Sequence, residues 1–237
     1  MLANNSAYET VPDRRLSSGC PSRSIAADSL AQRLVAGQSR CYEAKEHIFR
    51  DGDTAEQLYK VEAGNVCIYK MTPNGRRQII DFAYPGDLIG LGALTEHTAS
   101  AQAMTKTRVR CIPTASVHKL ARDDARLGMK LYEALSQQLV AARELLFAVS
   151  QRTASERIAA FLLALAKRSE RSGEHPLEFV LPMTRSDIAD FLGLTIETVS
   201  RMLSRFRLAG LIDIDQIVLI RILDREGLEA IADGPSD

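Results

Sequence analysis

Neither sign of charge is in excess in this sequence: 30 lysines and arginines are matched by 30 aspartates and glutamates over 237 residues. A chain so balanced has no global field to drive it onto nucleic acid, which excludes a coat-like or histone-like binder and makes any basic surface local. Long apolar runs are missing too. No stretch approaches the roughly 18 consecutive apolar residues of a membrane span, and Met1 to Thr10 lacks a basic and apolar leader pattern, so a cytoplasmic chain without membrane attachment is expected. Cysteine is scarce. Cys20, Cys41, Cys67 and Cys111 are scattered, with no CxxC pair to suggest a zinc or redox site, and disulfides are not expected in that compartment. What is present, 46% hydrophobic and 25% charged residues, suffices for two ordinary domains.

Residues 1–24 are rich in Asn, Ser, Pro and Arg without apolar periodicity, and read as a flexible N-terminal arm. Over 25–114 short β-type runs alternate with turn signals: Asp51-Gly52-Asp53, Ala63-Gly64-Asn65, Pro73-Asn74-Gly75 and Pro85-Gly86-Asp87. Val66 to Lys70 and Gln78 to Phe82 form a hairpin around the Pro-Asn-Gly turn, and Val109 to Ile112 closes the set. The pattern alone fits an antiparallel barrel or a generic β-sandwich equally. Cys41 and Cys67 read as small core residues, and His47, His97, His118 and His175 as dispersed surface or turn residues rather than metal ligands.

From Ala115 the punctuation stops, and no proline occurs until Pro176. Within 115–151, Leu127, Leu131, Leu135, Leu139, Ala142, Leu146 and Val149 recur at three- and four-residue spacing, an apolar stripe on one long helix, with Gly128 blurring its start. Such a stripe packs on its own barrel or on a second copy. Its length and its place between two domains favour the dimer seam. Residues 152–237 begin a second domain, with a helix from Ser155 to Arg168 capped near Thr153 and carrying Ile158, Phe161, Leu162 and Leu165 inward.

The most informative stretch is Leu181 to Arg207. Thr184 precedes an acidic first turn at Asp187 and caps a short helix whose apolar face is Ile188, Phe191 and Leu192; Gly193 stops it. Thr195 caps a second helix with Val199, Leu203 and Phe206 inward. Two helices one turn apart, the first about eight residues long, have helix-turn-helix spacing. On the outer face Glu197, Ser200 and Arg201 lie at i, i+3 and i+4 near the helix N-terminus, where base edges are contacted. Arginine binds guanine O6 and N7, glutamate accepts from cytosine N4, and serine is small enough for a base edge or a thymine methyl. Arg201, Arg205 and Arg207 against Glu197 alone make this segment locally positive. Phosphates find partners in Arg185, Thr195, Thr198 and Arg205. The alternative is that Glu197 and Arg201 form an ordinary i, i+4 surface pair. Leu211 to Ile220 follows as a β-wing, which supports the DNA-binding alternative. No nucleophile with a nearby base and no clustered metal set marks an enzyme. Thr184 and Ser200 are explained as a cap and a groove contact.

At these residues the chain resembles the Crp/Fnr superfamily: Glu197-Thr198-Val199-Ser200-Arg201 matches the E-x-x-S-R signature of its Fnr and FixK branch. The resemblance extends through Phe49-Arg-Asp-Gly-Asp53, Val61-Glu-Ala-Gly-Asn-Val66 and Tyr84-Pro-Gly-Asp-Leu-Ile-Gly90. It implies an α+β fold in which an N-terminal cyclic-nucleotide-binding-like β-barrel (a jelly roll) leads by a long dimerisation helix to a C-terminal winged helix-turn-helix. It further implies a homodimer on a TTGAT-N4-ATCAA-like palindrome of double-stranded DNA, with Arg201 on guanine, Glu197 opposite it and Ser200 on the outer thymines. The implied role is a transcription regulator, an activator working with RNA polymerase in low-oxygen or nitrogen-oxide metabolism. Departures bear on the sensor. Where cyclic-nucleotide binders of the superfamily carry Glu, Arg and Ser, this chain has Leu91, Ala99 and Ser100, so a buried cyclic phosphate would lack its cation and cyclic AMP is not expected. Oxygen-sensing members carry three clustered N-terminal cysteines; only Cys20 lies in the arm here, with Arg23 and Ser29 in two of the places, and Cys111 near the distant ligand. No 4Fe-4S cluster is expected, and Cys20 is expected to be an exposed bystander. The competing expectation is a ligand- or redox-sensing regulator whose DNA binding requires an effector in the barrel.

Overall fold

The computed structural model describes residues 37–93, 95–171, 175, 177–215 and 218–234. The arm at 1–24, with Cys20, lies outside them. β1 (Gln38–Tyr42), β2 (His47–Phe49), β3 (Gln57–Ala63), β4 (Val66–Met71), β5 (Arg77–Ala83), β6 (Leu88–Ile89), β7 (Ser100–Ala103) and β8 (Thr107–Pro113) form two antiparallel four-stranded sheets, ordered β1-β8-β3-β6 and β2-β7-β4-β5. The inner faces enclose Phe49, Tyr59, Val61, Val66, Ala83, Ile89, Ala101 and Val109. The expected hairpin is present with Val66 opposite Ala83 and Met71 opposite Arg77. Gly64 between β3 and β4 has φ +82°, and a Cβ there would lie 2.5 Å from the Lys106 carbonyl, so no side chain fits that turn.

Cys67 is buried as expected, whereas Cys41 and His97 depart from expectation. Cys41 is exposed rather than in the core, because among the described residues β1 is an edge strand bonded to β8 and four of its five positions face solvent. Cys67 is buried, and burial pushes its thiol up to about 11. His97, expected at the surface, is 3% exposed. Its ring lies on Phe49 with centroids 3.8 Å apart, in space left by Gly90.

The unpunctuated stretch is two helices rather than one: α1 (Thr114–Asp123) and α2 (Ala125–Gln151). Asp124 separates them with extended backbone, φ −133° and ψ 101°, and its carboxylate accepts from the Arg126 amide at 3.0 Å, starting α2 as an N-cap. α3 (Ala154–Arg171) opens on a reciprocal capping box between Thr153 and Glu156. After it come β9 (Glu178–Val180), α4 (Arg185–Leu192), α5 (Ile196–Leu208), β10 (Ile212–Asp215), β11 (Leu219–Ile222) and α6 (Arg225–Asp233). β10, β11 and β9 form a three-stranded sheet beside the helices. β9 was not foreseen: three residues are too few to show a period.

The apolar stripe of α2 is divided between two environments. Leu127 is 4% exposed and packs with Leu131 on Leu58, Leu88, Ile112 and Val117 of its own barrel and α1, so the first turns of the stripe do not offer a seam to a second copy. Farther along, Leu135, Leu139 and Leu146 are exposed, as are Met129, Tyr132, Val140 and Phe147 beside them. Val149 approaches Gly193 at the start of the next domain's helix turn.

Candidate nucleic-acid interface

α4 and α5 are held by the caps their sequences call for. Thr184 accepts from the Asp187 amide at 3.2 Å while the Asp187 carboxylate accepts from the Thr184 amide at 2.9 Å. Gly193 ends α4 in the left-handed conformation at φ +65°, and Thr195 accepts from the Thr198 amide at 3.2 Å to start α5. Val199, Leu203 and Phe206 are buried against Ile188, Phe191 and Leu192, with β10, β11 and α3 closing the core behind them. Burying that face turns the other outward. Glu197, Ser200 and Arg201 are all exposed on one side of α5, and Arg205 is exposed one turn beyond.

The electrostatics of this face follow from the helix start. The Glu197 carboxyl is held below its usual value by its own backbone N–H and by the Thr195 hydroxyl, so it is an acceptor at neutral pH. Arg201 donates to the Thr198 hydroxyl at 3.5 Å, and its charge adds to the lowering of the Glu197 carboxyl. Thr195 and Thr198 share a hydroxyl contact of 3.1 Å. Both hydroxyls thus sit at the mouth of α5. Arg185 is half-buried at the start of α4, and burial lowers its pKa. Arg207, in the last turn of α5, is a further exposed cation on the same domain.

A second feature lies where the barrel, α2 and α4 meet. A cavity of about 630 Å³ is lined by Ile80, Asp81, Leu91, His97, Ala99, Leu135, Gln138, Leu139, Ala142 and Phe191, among others. Among its described lining residues there is neither lysine nor arginine. His97 is held neutral, since burial lowers its pKa, and its Nε2 has no hydrogen-bond partner. Leu91 and Ala99 line the cavity, while Ser100 is turned away and accepts from the Asp51 amide at 3.0 Å. An anionic phosphate in this space would face one carboxylate and no cation, so the residues present do not fit a cyclic nucleotide.

The helix-turn-helix is docked on its own barrel. Arg77 of β5 bonds Asp190 at 2.9 Å and also Asp187; Gln78 donates to the Asp190 carbonyl. Phe82, Phe161 and Phe191 form an aromatic cluster with centroids 5.0 to 6.5 Å apart. Arg168 of α3 pairs with the buried Asp87 at 2.9 Å and lies over the Tyr84 ring. Sequence spacing gave no hint of Arg77, since its partners lie more than a hundred residues away in the chain.

Among the described residues no helix is long and apolar enough to cross a membrane. Residues 39–124 match the cyclic nucleotide-binding domain and residues 156–231 the Crp-like helix-turn-helix domain. The nitrogen fixation regulation protein FixK of Azorhizobium caulinodans is 36% identical over 214 residues, covering 88% of this chain and 86% of that protein. The transcriptional activator protein FnrA of Stutzerimonas stutzeri is 35% identical over 86% of this chain and 84% of its own length. The structure of FixK2 from Bradyrhizobium japonicum superposes with a TM-score of 0.79 at 33% identity, covering 85% of this chain and all of that one. The chain belongs to the Crp/Fnr family of DNA-binding transcription regulators, related to Fnr and FixK, and is not an enzyme.

Proposed function

We propose that this regulator binds a TTGAT-N4-ATCAA-like palindrome as a homodimer and activates transcription with RNA polymerase, in low-oxygen or nitrogen-oxide metabolism, without a bound cofactor. The observation that carries the proposal is the solvent-facing set Glu197, Ser200 and Arg201 on a capped helix whose opposite face is buried. Arg201 reads guanine, Glu197 accepts from the cytosine opposite it, and Ser200 meets the outer thymines. Thr195, Thr198, Arg185 and Arg205 hold the phosphates on either side. The exposed apolar length of α2 supports the dimer. Leu139 and Leu146 of the expected stripe, with Tyr132, Val140 and Phe147 beside them, need a cover that the described residues of the protomer do not supply. Leu135 and Ala142 flank that band, whereas Leu127, Leu131 and Val149 are engaged within the protomer. The cytoplasm is the compartment this activity requires.

The test is a titration of the purified protein, in air and without added ligand, against the palindrome and a scrambled duplex, with Arg201→Ala alongside. A good bidentate base contact discriminates by about 1–3 kcal/mol, so the variant should lose preference for the palindrome more than it loses scrambled-duplex binding. Equal binding of both duplexes by the parent protein would refute the proposal. A second reading is favoured by one observation: the cavity is walled in part by Phe191 of α4, so an occupant would touch the DNA-binding domain directly. In that reading palindrome binding appears only when an uncharged effector is supplied.

A further inference from the structure

Two consecutive residues of β5 grip both ends of α4. Arg77 bonds the Asp187 and Asp190 carboxylates, while the Gln78 amide reaches the Asp190 carbonyl, one of the orphan acceptors at the end of an eight-residue helix. The neighbouring Leu192 carbonyl is taken by Arg157 at 3.0 Å. Asp187 uses its other oxygen to cap α4 through Thr184, so the clamp and the helix start share one carboxylate. Arg77 is itself aligned from behind: its guanidinium lies 5.8 Å from the Tyr69 ring, and the Tyr69 hydroxyl bonds His47 Nε2 at 2.7 Å. The joint around it has an aromatic centre in Phe82, Phe161 and Phe191 and a second ion pair, Arg168 with Asp87, on another edge.

The placement of the acids bears on DNA binding. The first helix of a helix-turn-helix crosses the phosphate backbone, where two carboxylates on an eight-residue helix are unwelcome unless a cation neutralises them. None of the outward residues Glu197, Ser200 and Arg201 contributes to the clamp, so closing it leaves the base-reading face free. We infer that Arg77, through Asp187 and Asp190, is a positioning residue for DNA reading, fixing the pose of the helix-turn-helix on the barrel and hence the spacing at which a dimer's two recognition helices meet a palindrome. This inference rests on the dimer-on-palindrome proposal above. A guanidinium is needed because its planar fork can serve two carboxylates at once, which an ammonium on a flexible stem does poorly.

The experiment compares full-length parent protein with Arg77→Ala, Arg77→Lys and the swapped pair Arg77→Asp with Asp190→Arg. Each is titrated against an isolated half-site and against palindromes with spacers from three to six base pairs. Losing a charge-assisted clamp should weaken binding to the four-base-pair spacer by about tenfold, while half-site binding changes by less than about twofold. The preference for that spacer should narrow correspondingly. Arg77→Lys should recover part of it, and the swapped pair more. Equal losses on half-site and palindrome, an unchanged spacer preference, or tighter binding by Arg77→Ala would each overturn the inference. A second measurement does not depend on DNA. Spin labels on α5 and on the β4–β5 hairpin should give a narrow distance distribution in the parent and a broad one in Arg77→Ala; equal widths overturn the inference even if the palindrome proves to be the wrong target. If instead the widths differ but the parent protein ignores the palindrome, the clamp stands as a joint and the DNA proposal alone fails, which removes the spacing role from Arg77.

Discussion

The reading face of α5 and the cavity of the barrel are built from opposite materials. On α5 the functional side chains are polar, exposed and set within two turns of one capped helix, so each is placed by local geometry and solvated when free. The cavity is assembled from four β strands or their loops, α2 and α4, and the polar groups it holds are a carboxylate, an amide, a hydroxyl and a neutral histidine. The difference teaches that the two halves of a regulator answer to different constraints. A groove reader must offer donors and acceptors to a target whose edges are fixed. A buried chamber can accept only what its walls can desolvate, and here the described lining residues include no cation for an anion.

Four measurements would break or sharpen that contrast. The largest effect is expected from Phe206→Ala, because the 1% exposed ring anchors α5 from behind. Its loss should cost about 3–5 kcal/mol in denaturant unfolding and take palindrome binding with it, although no base-facing group is altered. Retained stability would mean that the reading face does not depend on its packed side. Next comes acid. Burial alone would raise the Asp187 carboxyl, but hydrogen bonds from Thr184 and Arg77 outweigh it and hold its pKa below the ordinary value. A depressed folded value means that the stabilisation is fully present above the unfolded pKa and is lost as pH falls through the folded one. Unfolding monitored between about pH 5 and pH 2 should therefore show a loss that Asp187→Asn lacks.

Third, Thr195→Ala should lower stability by about 1 kcal/mol through the lost cap. It should also raise the Glu197 titration midpoint seen by NMR, since the Thr195 hydroxyl is one of the groups holding that carboxyl down. An unmoved midpoint would assign the shift to the helix backbone and the Arg201 charge. The smallest expected effect is nil: millimolar cyclic AMP should leave the thermal midpoint unchanged. A ligand at a hundred times its Kd adds about 2.7 kcal/mol of stability, so even weak binding would be visible as an upward shift.

Much of the reader was legible because its signals are local. Thr184 with Asp187, Gly193, and Thr195 with Thr198 are caps and stops that act over three residues, and the structure places each where spacing put it. The β4–β5 hairpin was legible for the same reason, a Pro-Asn-Gly turn between alternating runs. Elsewhere periodicity said that a residue would be covered but not by what. Leu127 and Leu146 share one stripe, yet one is sealed under its own barrel and the other is 70% exposed. His97 and Cys41 were misplaced for a related reason. A histidine's burial depended on a flat partner in Phe49, and a cysteine's exposure on β1 being an edge. The Asp124 break is a milder case, since aspartate is a common N-cap and the signal was present but unaided by proline or glycine.

By itself the sequence determined the β4–β5 hairpin, the two helices of the helix-turn-helix with their caps, and the outward trio Glu197, Ser200 and Arg201, because these depend on interactions spanning a few residues. Only the tertiary structure decided that the long helical stretch breaks at Asp124, that its stripe divides between barrel and solvent, that the described lining of the cavity holds no cation, and that Arg77 meets Asp187 and Asp190. Those outcomes join residues from distant parts of the chain. Their energies are set by who is desolvated beside whom, which spacing along a strand or helix does not encode.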